Sequence, residues 1–158
     1  MEQEIVKILS HKPSETYHCG KNFAGILKEG DVVGLYGDLG SGKTLFIQGI
    51  CSGLEVQEFV TSPSFTLIQE YSGKLPVSHF DFYRLESARE IEDLDLDAYF
   101  EKNGVSLIEW AERGDPLLPE ERFSVTIDRV FENEKLIEDQ REILMSGSKH
   151  RGLGKLHS

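Results

Sequence analysis

Eight consecutive residues, Gly37-Asp38-Leu39-Gly40-Ser41-Gly42-Lys43-Thr44, set glycines, a lysine and a hydroxyl at the spacing of a phosphate-binding P-loop. Glycines let such a loop turn tightly and bring backbone N–H groups close to phosphate oxygens, and a helix starting behind it adds its positive end. Lys43 is expected to reach the β- and γ-phosphates and the Thr44 hydroxyl to be a magnesium ligand, so the expected ligands are ATP and Mg2+. Asp38 lies inside the loop, where its charge would oppose phosphate, and is expected to point outward.

Hydrolysis needs more than a cradle; an acid at the end of a neighbouring strand must help to hold the metal. Asp81 follows Val77-Ser78-His79-Phe80, and Glu109 follows Val105-Ser106-Leu107-Ile108. Each is a carboxylate at the far end of an apolar run, the place where open α/β sheets bind ligands. Lys43, Asp81 and Glu109 are therefore the expected catalytic set, with Thr44, Glu109 and Asp81 around the metal. Thr61-Ser62-Pro63-Ser64-Phe65-Thr66 is dense in hydroxyls and stiffened by Pro63. It reads as a plain serine–threonine turn or as a nucleotide-sensing switch, and pattern alone leaves the turn slightly ahead.

These residues need elements to position them. After Pro13 and Ser14, Cys19, Phe23, Ile26 and Leu27 fall at helical spacing as far as Gly30. Residues 31–36 form a short apolar strand that runs into the glycine loop, and Leu45, Phe46, Ile47 and Ile50 mark the helix after it. Residues 65–71 and 77–83 read as a hairpin joined by Ser72-Gly73-Lys74. Ser87 and Glu90 have capping-box spacing, and Ile91, Leu94 and Ala98 continue a helical pattern to Asn103-Gly104. Residues 105–110 are another strand, Asp115-Pro116 and Leu118-Pro119 break regular structure, and residues 122–131 can pair with 141–145 across an acidic turn. The order predicts an α/β fold: a single P-loop NTPase domain over residues 1–146, with a mixed, largely parallel central sheet flanked by helices.

Composition narrows the partners. The chain of 158 residues carries 17 basic and 28 acidic side chains, a formal charge of −11, and the last ten residues hold three of the bases and no acid. The remainder, at −14, should repel a phosphate backbone, so direct nucleic-acid binding by the body is not expected. Residues 147–158 read as a flexible basic tail. No apolar run is long enough to cross a bilayer, and the acidic N-terminus lacks the features of a secretory signal. Cys19 and Cys51 both fall in segments that read as helices, which suits a reduced, cytoplasmic setting.

Four ordered blocks give the chain a family likeness: Tyr36 through Thr44, Ser62-Pro63-Ser64-Phe65-Thr66, His79-Phe80-Asp81-Phe82-Tyr83-Arg84-Leu85, and Ile108-Glu109-Trp110. From about residue 14 to residue 141 it resembles the TsaE family, also called YjeE, small bacterial ATPases required to make threonylcarbamoyladenosine in transfer RNA. The resemblance implies that Lys43 is the phosphate lysine, Thr44 the magnesium threonine, Glu109 the magnesium-coordinating acid and Asp81 a Walker-B-like aspartate. It also implies a switch-like loop over residues 61–66, reversing the lean toward a plain turn. Trp110 and Arg84 belong to matching motifs, with packing beside the site the plainer role for Trp110, and adenine contacts are implied near residues 14–16 and on a late strand. Ser41 stands where alanine is more usual and Ser64 where threonine is; both remain small. The implied partner is the TsaB–TsaD heterodimer, which ATP hydrolysis would reset between turnovers.

Other chemistries share this pattern. A P-loop small-molecule kinase also fits one α/β domain, but no acceptor pocket is identifiable. A nucleotide-dependent assembly module would bind without needing to hydrolyse. A GTPase ranks lowest, because no Asn-Lys-x-Asp element is present and the segment after Asp81 lacks the glycine of the usual second switch.

Overall fold

A computed structural model describes residues 2–38, 40–63, 67–101 and 103–156, the side chain of Ala88 aside. Leu39, Ser64 and Thr66, all named above as site residues, lie outside the described residues. Seven strands form one sheet: β1 (Gln3–Ser10), β2 (Val32–Tyr36), β3 (Ile68–Tyr71), β4 (Val77–Asp81), β5 (Val105–Glu109), β6 (Phe123–Glu132) and β7 (Lys135–Ser148). Their spatial order is β1-β7-β6-β2-β5-β4-β3. The four strands β6, β2, β5 and β4 are mutually parallel, while β3 and β7 run against their neighbours, so the sheet is mixed with a parallel centre.

The strand β2 sits mid-sheet, and Val32, Val33, Gly34 and Leu35 are all buried, as a parallel strand covered on both faces requires. Side chains alternate between the two faces. On one, Val33, Leu35, Leu107, Val125 and Ile127 meet helices α1 (Pro13–Ala24) and α2 (Lys43–Gly53). Phe23 stands edge-on to Phe123 at 5.3 Å and tilted against Phe46 at 5.8 Å, joining both helices to the sheet. The two helices lie so close that a methyl group on Gly49 would collide with the Tyr17 carbonyl. On the other face Val32, Phe80 and Ile108 are covered by Ile91, Leu96, Ala111 and Leu118.

The helix expected from Ser87 to Asn103 is instead two short ones, α3 (Ala88–Glu92) and α4 (Leu96–Phe100). Its capping box forms, with the Glu90 carboxylate accepting the Ser87 N–H at 3.2 Å. Asp95 then turns left-handed, with φ 50°, and ends the run. Glu90, Glu92, Asp93, Asp95 and Asp97 lie too close together for one continuous helix to be free of like-charge repulsion.

At the chain ends one expectation is corrected and one strand appears that was not read from the sequence. The strand β1 carried no clear signal, because Ile5, Val6, Ile8 and Leu9 do not alternate; pairing with β7 along its whole length makes it a strand. The described part of the basic segment expected to be a loose tail over residues 147–158, which reaches residue 156, is not loose. The strand β7 continues through Ser148, Arg151 pairs with Asp31 at 2.7 Å and lies over the Phe123 ring, and the turn Leu153–Lys155 places Leu153 wholly within the main core beside Leu156. Two leucines three positions apart were enough apolar surface to tie it down.

Leu153→Ala should lower unfolding free energy by about 3 kcal/mol, as for other fully buried leucines, measured by urea titration. Cys19 and Cys51 are buried, and burial pushes both thiols up to about 12. Both should therefore resist a thiol reagent at pH 8 in the native protein and react on unfolding. Because the folded state keeps the thiols protonated above the pH at which an unfolded chain loses them, their contribution to stability should fall as pH rises from about 9 toward about 12.

Candidate functional site

The site forms where strand ends come level. Leu35 of β2 is in register with Glu109 of β5, and Glu109 with Asp81 of β4. Both acids share the strand face of Leu107 and Val77, which is the face that α2 covers. The expected carboxylates therefore arrive side by side beneath the start of the helix that follows the glycine loop. Parallel register is the reason.

The loop leaves β2 at Gly37, whose φ of 129° and close approach to the Ile127 carbonyl admit no side chain. It closes at Gly42, φ 113°, and α2 begins with Lys43. Asp38 is exposed, as its charge demanded. Gly40, Ser41, Gly42, Lys43 and Thr44 line a cavity of about 360 Å³ with Ser62, Asp81, Tyr83, Glu109 and Trp110. That is within the usual size of a small-molecule site, and it gathers Lys43, Thr44, Asp81 and Glu109, while Gly37, Asp38, Thr61 and Pro63 do not line it.

Glu109 and Asp81 are each only 3% exposed. Such carboxylates persist only when hydrogen bonds replace their lost water. The Thr44 hydroxyl donates to Glu109 Oε1 at 2.9 Å, and His79 Nε2 lies 2.7 Å from Oε2. Asp81 accepts from the Ser62 hydroxyl at 2.7 Å and from the Tyr83 N–H at 2.9 Å. Ser62 thus ties the described part of the hydroxyl-rich loop to an acid of the site. Pro63 is buried beside it, and the Thr61 carbonyl accepts from the Tyr71 hydroxyl at 3.4 Å.

His79 was not singled out as functional from sequence. Fully buried on the Asp81 face of β4, it has no partner for Nδ1 among the described residues, so the N–H is placed on Nε2, where it meets Glu109. The clue in the sequence was its place two residues before Asp81. Lys43 bonds to the Gly37 carbonyl, and its Nζ lies 3.4 Å from the centroid of the Trp110 ring. Burial lowers its pKa, opposed by the charges of Glu112, Glu109, Asp81 and Asp38. Trp110 reaches it from a left-handed residue, φ 58°, directly after β5 and also packs at 4.9 Å on Tyr83. It is therefore part of the cavity wall, more than packing beside it. Arg84 is exposed and does not line the cavity. Thr16, near the expected adenine contacts, is buried with its hydroxyl 2.7 Å from that of Ser10, and its methyl lies close to Gly42.

These features define an α/β protein with a glycine-rich loop whose lysine and threonine line one cavity with two strand-end acids. The family model described as "Threonylcarbamoyl adenosine biosynthesis protein TsaE" matches residues 10–142. The chain is 47% identical over 126 residues to the tRNA threonylcarbamoyladenosine biosynthesis protein TsaE of Bacillus subtilis, covering 79% of this chain and 78% of that one. To its namesake in Aquifex aeolicus it is 31% identical, covering 89% and 96%. The crystal structure of YdiB from Bacillus subtilis superimposes with a TM-score of 0.79 at 37% identity, covering 96% of this chain and 90% of that one. The chain belongs to the TsaE family.

His79→Leu should remove one donor from the buried Glu109 carboxylate and lower stability by about 2 kcal/mol. His79→Gln, which can still present an N–H, should recover part of the loss. Urea unfolding of the two variants checks both.

Proposed function

We propose that the protein is a magnesium-dependent ATPase acting in the formation of threonylcarbamoyladenosine beside the anticodon of transfer RNA, and that it hydrolyses ATP to reset a TsaB–TsaD heterodimer between turnovers. The observation that carries this reading is the linkage of Thr44 to Glu109 at the mouth of the glycine loop, with Asp81 beside it. Family membership and the names of the relatives supply the pathway. No helix among the described residues is long and apolar enough to cross a membrane. The acidic body favours docking on protein over RNA.

In this reading Lys43 and the N–H groups of the loop and first turn of α2 hold the ATP phosphates. The donors present suit Mg2+: Thr44 and Glu109 offer a hydroxyl and a carboxylate already 2.9 Å apart, with a second carboxylate on the adjacent strand. Among the described residues no group of three or more His, Cys, Asp or Glu forms an all-protein metal cage, which matches an ion that keeps waters and phosphate oxygens among its ligands. When bound, the metal would neutralise charge on the β- and γ-phosphate oxygens. Lys43 adds a positive charge at the same point, so positioning and electrostatics carry most of the catalysis. Ser62, fixed to Asp81, gives residues 61–66 a route for sensing the γ-phosphate. Activity that is weak alone and stimulated by the partners follows if they order that loop.

ATP hydrolysis with and without purified TsaB–TsaD tests the assignment. Lys43→Ala should weaken ATP affinity and turnover by about 10²-fold or more, in the range of lost transition-state donors. Glu109→Ala should leave ATP-dependent complex formation in place and stop multiple-turnover modification. Continued modification by that variant would instead make nucleotide-dependent assembly the function, and lack of both stimulation and complex would reject the partner assignment.

A further inference from the structure

Behind the phosphate loop stands a side chain that its sequence pattern did not mark. Arg141, on β7, sends Nε to the Ser41 carbonyl at 2.8 Å and a terminal nitrogen toward the Gly40 carbonyl at 3.5 Å. Its other terminal nitrogen donates to the carbonyls of Glu138 and Gln140, both at 2.7 Å. The last two belong to a bulge: Arg129 is in register with Arg141 but Val130 with Ile137, so residues 138–140 have no counterparts on β6. One planar guanidinium therefore stitches the bulged strand to the glycine loop. Among the described residues its hydrogen-bond acceptors are neutral backbone carbonyls.

We propose that Arg141 is a positioning residue that presets the phosphate loop by holding its carbonyls outward. In a trans peptide the C=O and the following N–H point in opposite directions. Fixing the Ser41 carbonyl toward Arg141 turns the Gly42 N–H the other way. Arg141 is absent from the wall of the cavity that Gly40, Ser41 and Gly42 line, so it grips the loop from outside that cavity. With a left-handed Gly42 and a left-handed Gly40, the segment has little intrinsic preference for one conformation, and an external clamp replaces what side-chain sterics would otherwise enforce. The positive charge behind the loop works in the same direction, toward an anion in the cradle. A guanidinium fork suits the task, because its donors have fixed relative directions; an ammonium has the charge without the fork.

The inference rests on the phosphate-binding reading above, and two measurements on the full chain separate them. Affinity for ATP and for ADP, each with Mg2+, is taken by calorimetry for wild type, Arg141→Lys and Arg141→Met. Amide hydrogen exchange of the peptide covering residues 37–44 is followed in the same proteins without nucleotide. Both variants should bind ATP and ADP about tenfold more weakly, the size of one lost charged hydrogen bond, and both should exchange faster in the loop. Loss alike for the two nucleotides is the signature of a disordered cradle, as a contact to the γ-phosphate would spare ADP. Wild-type affinity and exchange in folded Arg141→Met overturn the proposal, and so does full recovery in Arg141→Lys, which would make charge alone the cause. If Arg141→Met does not fold, Arg141→Lys decides. If wild type itself binds no nucleotide, the phosphate-binding reading fails, and loop exchange alone still accepts or rejects the clamp.

Discussion

The parallel register that puts Glu109 level with Leu35 on one side and Asp81 on the other is the constraint on which the site depends. Because strand ends align, two carboxylates come to lie under the first turn of α2, and the Thr44 hydroxyl can bridge helix and sheet through Glu109. A slip of one residue in β5 would turn Glu109 to the opposite face, among Phe80, Ile91 and Leu118 and away from His79 and Thr44.

Two buried acids side by side are costly, and the structure answers with donors from four elements. His79 comes from β4, Thr44 from α2, Ser62 from the connection before β3, and the Tyr83 N–H from the turn after β4. Lys43 adds a nearby positive charge, held between the loop and the Trp110 ring. Removing one partner of such an arrangement leaves a desolvated charge, a larger loss than a surface ion pair would bring. The same groups that stabilise the fold here are those expected to handle phosphate and metal, so stability and chemistry are coupled through single side chains.

The outer strands serve the centre in a different way. The β6–β7 hairpin is bulged beside the loop, and the bulge carries Arg141 against Gly40 and Ser41. The C-terminal segment closes the end of the core with Leu153 and anchors Arg151 on Asp31, just before β2. Regions that look peripheral in the chain thus fix both ends of the strand that leads into the glycine loop.

Much of the site was legible in the sequence, and the reason is locality. The eight residues from Gly37 to Thr44 are contiguous, their glycines encode the turn directly, and Asp81 and Glu109 each end an apolar run short enough to be recognised as a strand. The fold class followed from the order of such runs. Other features depend on residues distant in the chain. Strand β1 exists because β7 pairs with it, Leu153 is core because β1, α1 and β7 leave room for it, and the helix after Ser87 breaks where acidic residues crowd. His79 and Arg141 acquire their roles from Glu109 and Ser41, partners 30 and 100 positions away. By itself the sequence determined which chemical groups the protein has and the local turn of the glycine loop, since backbone conformation is encoded residue by residue. Only the tertiary structure decided which donors hold the buried acids and what steadies the loop, because those contacts arise from register and packing between elements and leave no periodic trace along the chain.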